Sequence, residues 1–170
     1  NSIINGGDFG APGTKLQKEN GVEDSPELML KDMLRAGMYL NHPELAKTVA
    51  YGAKDALEWT ESYLGCKYAK LNFHGGHSVK RAHGTINQSG SEVVNKELAK
   101  AKEIGVKIQM RTKVVKFLSN KEGRIVGMEV LKGYKFPDDK SGKKSFIKVR
   151  KAIVLGSGGF SYDVGLRQIH

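Results

Sequence analysis

The run Ala152–Phe160 (AIVLGSGGF) places a glycine turn directly after an apolar, β-like stretch. Such a turn lets backbone N–H groups meet a bound nucleotide, because Gly156, Gly158 and Gly159 carry no Cβ. The dinucleotide fingerprint GxGxxG needs a third glycine at position 161, and that residue is Ser161. A plain tight turn is the alternative. Asn5-Gly6-Gly7 offers a second bare backbone surface, or an ordinary loop.

Three imidazoles, His74, His77 and His83, share one segment with Gly75, Gly76 and Arg81. A metal site is one reading. No carboxylate lies between Lys67 and Ser91, however, and the spacing is not the helical i, i+4 form, so no metal ligand is assigned. A loop presenting His and Arg to an anionic group is better motivated, since both give charge-assisted hydrogen bonds. A solvated loop is the other alternative. Ser78 and Cys66 lack a nucleophile-elbow pattern, which argues against hydrolase chemistry.

These residues need elements to position them. Residues 1–22 read as loop, with one short apolar strand end at Ile3-Ile4. Asp24 or Ser25 caps a helix with Pro26 at its first position, running to about Leu40 on Leu28, Leu30, Met33, Leu34 and Met38. Asn41 caps a second helix whose apolar face is Leu45, Val49, Ala53, Ala56, Leu57 and Trp59 or Tyr63. Together they predict a small helical lobe. Residues 66–90 read as irregular. Ser89 or Ser91 starts a third helix, Glu92–Ile104, ended by Gly105.

The period then changes to two. Strands are predicted at Val106–Met110, Thr112–Leu118, Arg124–Lys132, Ser145–Arg150 and Ala152–Leu155, with a turn at Asn120–Gly123 and a charged loop at Lys135–Lys144. The order is mixed helix and strand, an α+β or α/β fragment. The chain has 170 residues and ends ten residues after the glycine turn, where a nucleotide-binding fold continues; this predicts a piece of a larger protein.

A net charge of +10 admits nucleic acid or other anionic partners, but the lysines are scattered with few aromatics between them, so nucleic acid is not the favoured partner. Cys66 is the only cysteine, which excludes an intrachain disulfide. No apolar run approaches the roughly 20 residues of a membrane span.

Taken in order, the stretches INGGDFGAPGTK (4–15), NHPELAK (41–47), DALEW (55–59), GGHSVKRAH (75–83), GVKIQMRTKVVKFL (105–118), GRIVGMEV (123–130) and IVLGSGGF (153–160) resemble the flavoprotein subunit of the fumarate reductase and flavocytochrome c family. The resemblance implies FAD in a Rossmann-like domain, a capping domain over the flavin, and reduction of an activated C=C bond. It places a flavin-facing glycine-rich segment at 1–23, part of the cap at 24–89, and part of the FAD domain, with parallel strands and an antiparallel meander, at 90–170.

Carried over by position, Asn5, Gly6 and Gly7 look like the segment against the isoalloxazine ring. Val114 looks like the residue whose backbone meets the adenine, and Gly156, Ser157 and Gly158 like the turn at the adenosine side. Gly7 and His74 look like substrate contacts. His74 stands where fumarate-reducing members have methionine, which points to an enoate with an additional polar or anionic group. His83 is followed by Gly84-Thr85 where the family has Arg-Pro.

The family's catalytic groups lie C-terminal to this segment, so no catalytic residue is assigned. The resemblance implies a small dicarboxylate or other enoate substrate, a haem domain or other electron donor, and a periplasmic parent, with a cytoplasmic one as the alternative. It also implies that the chain alone is inactive and holds FAD weakly or not at all. An aspartate oxidase or ketosteroid dehydrogenase type of flavoprotein, and a basic module for anionic partners or nucleic acid, are the competing readings.

Overall fold

The computed structural model describes residues 2–138, 140–159 and 163–169. Phe160 and Ser161 of the glycine motif, and Asp139 of the charged loop, lie outside them. The chain divides into two compact units, residues 1–107 and 108–170.

The first unit is built on helices and a small sheet. A 3₁₀ turn at Ser2–Ile4 leads into β1 (Asp8–Gly10) and the short α1 (Lys15–Glu19). Helix α1 opens with a capping box: Thr14 Oγ1 accepts from Gln17 N, and Gln17 Oε1 accepts from Thr14 N, both at 3.2 Å. Helix α2 (Pro26–Ala36) is capped by Ser25 and starts on proline, as its sequence demands. It stops at Gly37, short of the expected Leu40, because Met38 and Tyr39 take left-handed φ values of 53° and 60°.

Helix α3 (Pro43–Ser62) is capped by the His42 backbone rather than by Asn41. Asn41 instead turns back, and its Nδ2 donates to Met33 O at 3.2 Å, closing the end of α2.

The core lies between α2 and α3, and the buried stripe of α3 is Ala46, Ala50, Ala53, Leu57 and Thr60. The larger residues expected there, Leu45 and Val49, are 65% and 51% exposed. Small side chains let α3 approach Met29 of α2 and Ala11 closely, so the alanines win the interior face.

The expected two-helix lobe is present, but the irregular 66–90 segment and the loop expected at residues 1–22 are corrected by a three-stranded antiparallel sheet, order β1-β3-β2, with β2 at Tyr68–Asn72 and β3 at Ala82–Thr85. Strand β3 is buried along its whole length. Helix α4 (Gly90–Glu103) follows, capped by Ser89.

The second unit is the expected antiparallel meander: β4 (Thr112–Ser119), β5 (Ile125–Lys132) and β6 (Lys143–Lys148). Val114 pairs with Val130 and Phe117 with Met128, with a bulge at Val115 between Val114 and Lys116. Val130 is fully buried. The last meander strand begins and ends two residues earlier than Ser145–Arg150.

Val106–Met110 and Ala152–Leu155, expected as strands, belong to no strand among the described residues. Val154 is 93% exposed. A short α5 (Val164–Ile169) ends the described chain.

Candidate cofactor and substrate sites

Asn5-Gly6-Gly7 is locked to the start of α4. Asn5 Oδ1 accepts from Gly7 N at 2.8 Å, and Asn5 O accepts from Gly90 N at 3.0 Å. Gly7 has φ +72°, and a Cβ there would meet Ser89 C and O and Thr85 Oγ1 within 2.7 Å. Glycine is therefore structural at position 7. Gly6 differs: a Cβ there meets nothing within 4 Å, so its backbone faces open space. Beside them lies a cleft of about 220 Å³ lined by Asn5, Gly7, Asp8, Gly90 and Val93 among others.

His74 is half-exposed, and its Nε2 lies 2.6 Å from Asp8 Oδ2. Asp8 Oδ1 accepts from Asn72 Nδ2 at 2.9 Å. The carboxylate missing from the histidine segment is thus supplied from β1. The His77 ring sits edge-on to that of His74, 6.2 Å between centroids. Burial, then Arg81 and His74, keep His77 more neutral than an ordinary histidine. Among the described residues no group of three or more His, Cys, Asp or Glu could hold a metal ion.

Arg81 and His83 are interior groups, which corrects the reading of them as presented to an anion or solvent. Arg81 is fully buried; Nε and Nη2 donate to the two oxygens of Asp24 at 3.0 and 2.9 Å. Its Nη1 lies 2.9 Å from Asp32 Oδ2, outside hydrogen-bond geometry. Burial pushes Asp32 toward the neutral acid, but the Ser78 N–H and O–H, then Arg81 and Arg35, outweigh it and hold the carboxyl below the usual range.

His83 Nδ1 faces the carbonyls of Phe9 and Arg81 at 3.1 and 2.9 Å, while Nε2 meets Thr14 Oγ1 at 2.7 Å. Burial holds His83 below its ordinary value. The neutral ring thus donates from Nδ1 and accepts the Thr14 O–H at Nε2. These inward roles follow from the place of β3 between β1 and β2, which the sequence does not mark.

In the second unit, Val114 and Ser157 line one groove of about 450 Å³, with Phe117, Met128, Ile153 and Leu155. A Cβ at Gly156, Gly158 or Gly159 would meet nothing within 4 Å. Gly158 takes φ +77°. Taken separately, the apolar groove edged by bare backbone has the chemistry that a purine requires, and the open backbone of Gly6 leaves room for a ligand ring.

The model of the FAD binding domain family matches residues 1–168. The acrylate reductase flavoprotein subunit of Shewanella woodyi is 35% identical, covering 98% of this chain and 33% of that protein. The urocanate reductase of Eggerthella lenta is 30% identical over 98% of this chain and 27% of its own length. The chain therefore spans a third or less of these two relatives.

Among solved structures, the open conformation of a flavocytochrome c3 fumarate reductase superposes with TM-score 0.73 at 34% identity, over 76% of this chain and 23% of that one. A 3-ketosteroid-Δ4-(5α)-dehydrogenase from Rhodococcus jostii RHA1 superposes with TM-score 0.81 at 19% identity, over 99% of this chain and 40% of that one, a likeness of fold alone. Acrylate, urocanate and fumarate reductases are thus among the proteins it is similar to, and the chain itself belongs to the FAD binding domain family, whose cofactor is FAD.

Proposed function

We propose that the chain is the cap-and-cofactor portion of an FAD-dependent reductase that saturates the C=C bond of an α,β-unsaturated carboxylate. The observation that carries the reading is that reductases named for acrylate and urocanate align with 98% of the chain at 35% and 30% identity. Those names share one chemistry, a double bond conjugated to a carboxylate.

In this reading residues 1–23 face the flavin, 24–89 belong to the cap and 90–170 to the FAD domain. Asn5, Gly6 and Gly7 bring bare backbone to the isoalloxazine. Val114, Gly156, Ser157 and Gly158 cradle the adenosine side. Gly7 and His74 meet the substrate. Bound FAD supplies the hydride chemistry. The chain's own residues hold part of the ring system and shape part of the lid that excludes water.

In the same reading a haem domain or another donor supplies electrons, which the flavocytochrome relative supports, and the parent is periplasmic. The chain alone is expected to be inactive.

The test is reduction of acrylate, fumarate and urocanate by the FAD-loaded full-length protein with a reduced dye as donor, comparing wild type with His74→Met. Turnover of an enoate, with the preference among the three changed by the substitution, is the expected result. Oxidation of L-aspartate with no enoate turnover would replace this reading by an oxidase one, which a 30% identical L-aspartate oxidase from Saccharolobus solfataricus favours. Absence of flavin from the full-length protein would remove both.

A further inference from the structure

The sheet of the first unit brings Asp8, Asn72 and His74 together by an unusual route. Strands β1 and β2 are not neighbours; β3 lies between them. Asp8 is opposite Gly84 on one side of β3, and Lys70 is opposite Gly84 on the other. The side chains of Asp8 and Asn72 meet over Gly84. A Cβ at that position would lie 2.9 Å from Asp8 Oδ1 and 3.0 Å from Asn72 Nδ2, too close for either to stay. The central strand therefore leaves out one side chain where the two outer strands exchange a hydrogen bond.

That bond fixes one carboxylate oxygen of Asp8, and the other faces His74 Nε2. The ring's Nδ1 makes no hydrogen bond among the described residues. Asp8 directly follows Gly7 and lines the same cleft as Asn5 and Gly7. Glu97 lines that cleft as well, while Lys70 and Arg35 are directed elsewhere and His77 is a weak cation. Lys70 Nζ donates to Gln88 Oε1, Arg35 reaches Asp32 and Gly76 O, and His77 is biased to the neutral form.

We propose that Asp8 is a positioning residue for His74: held by Asn72 over Gly84, it orients the imidazole so that Nδ1 receives a carboxylate of the ligand. This rests on the enoate reading of the site. The physical logic is that of a carboxylate behind an imidazole. It fixes which nitrogen faces outward and offsets the cost of positive charge when the imidazolium meets an anion. No bond is made or broken.

The experiment uses the FAD-loaded full-length protein with Asp8→Ala, Asp8→Glu, His74→Ala and the double substitution Asp8→Ala/His74→Ala. Dissociation constants of acrylate, fumarate and urocanate are read from perturbation of the flavin absorbance. Ring ¹⁵N resonances of His74 report its protonated nitrogen.

Each single Ala substitution is expected to weaken the tightest of the three ligands about tenfold, as loss of a charge-assisted bond does. The double variant should bind no more weakly than His74→Ala, and Asp8→Glu should recover part of the loss. In Asp8→Ala the Nε2 signal should lose its hydrogen-bonded character. Losses that multiply in the double variant, or an unmoved His74 signal, would overturn the proposal. Retained flavin absorbance shows that a variant has folded, and Gly84→Ala gives a second way of separating Asp8 from Asn72. If no enoate binds the wild type, the enoate reading fails and with it the ligand part of the proposal. The Nε2 signal would still decide the Asp8–His74 pairing.

Discussion

Arg81 and Asp24 form a two-point ion pair with both side chains wholly out of solvent, Nε to Oδ2 at 3.0 Å and Nη2 to Oδ1 at 2.9 Å. The pair ties the start of β3 to the residue before the α2 cap. Gln17 Nε2 adds a third donor to Asp24 at 2.8 Å and also donates to Lys80 O at 2.9 Å. The frame that carries the histidine segment thus hangs on one buried guanidinium.

Removing one partner strands the other charge in the interior. Asp24→Ala or Arg81→Ala is expected to destabilise the first unit by about 3–5 kcal/mol. Urea unfolding followed by fluorescence of Trp59, which stacks on Tyr63 in the same unit, measures it. A loss below about 1 kcal/mol would mean that the guanidinium finds water or another partner once Asp24 is gone.

Acid should weaken the same unit. His83 is held below its ordinary 6.5 by burial, so above pH 6.5 both folded and unfolded forms are neutral there and its contribution is complete. As pH falls below that value the unfolded chain takes up the proton first, and stability declines until the folded histidine also protonates. One such linked proton changes stability by up to about 1.4 kcal/mol per pH unit. His77 acts in the same sense, and Asp32, with its depressed value, adds a loss at lower pH as its carboxylate protonates. The urea midpoint between pH 7 and 5 should fall in wild type and fall less in His83→Gln; an equal slope in both would exclude His83 as a source.

The glycines of the two candidate cofactor surfaces separate fold from binding. Gly7→Ala forces a left-handed backbone and a Cβ into Ser89, so it should cost about 1–3 kcal/mol of stability. Gly6→Ala and Gly156→Val enter open space and should leave unfolding unchanged within about 0.5 kcal/mol. Under the proposed function both should nonetheless lower FAD retention by the full-length protein, read as flavin released on dialysis. Full retention in both would move the cofactor off these surfaces.

Helices α2, α3 and α4 and strands β4 and β5 were legible because their periods are written over eight or more residues, and capping signals such as Ser25-Pro26 and Ser89 mark helix starts; the five-residue α1, in the stretch expected as loop, was not. The sheet of the first unit was not. Its strands are three to five residues long, β1 lies far in sequence from β2 and β3, and β3 reads Ala-His-Gly-Thr with no alternation to betray it. The site suffered for the same reason. Arg81 and His83 looked like groups offered to solvent, because their partners Asp24 and Thr14 lie more than fifty residues away in sequence. The inward face of α3 was misjudged by favouring large side chains where close helix approach selects alanine.

The bulge in β4 is a phase correction. A strand written in strict alternation would turn Val114 and Phe117, three apart, to opposite sides of the sheet. The extra residue at Val115 resets the count, so that Val114 and Phe117 pair with Val130 and Met128, two positions apart on β5 and hence on one side. The apolar groove beside Ser157 depends on that reset. Loss of a single residue between Val114 and Phe117 would restore regular pairing at the cost of one strand position. Because Val115 and Lys116 themselves line the groove, such a deletion changes the spacing of its wall and removes one of its side chains. A one-codon deletion there is consequently a more searching probe of this surface than any substitution.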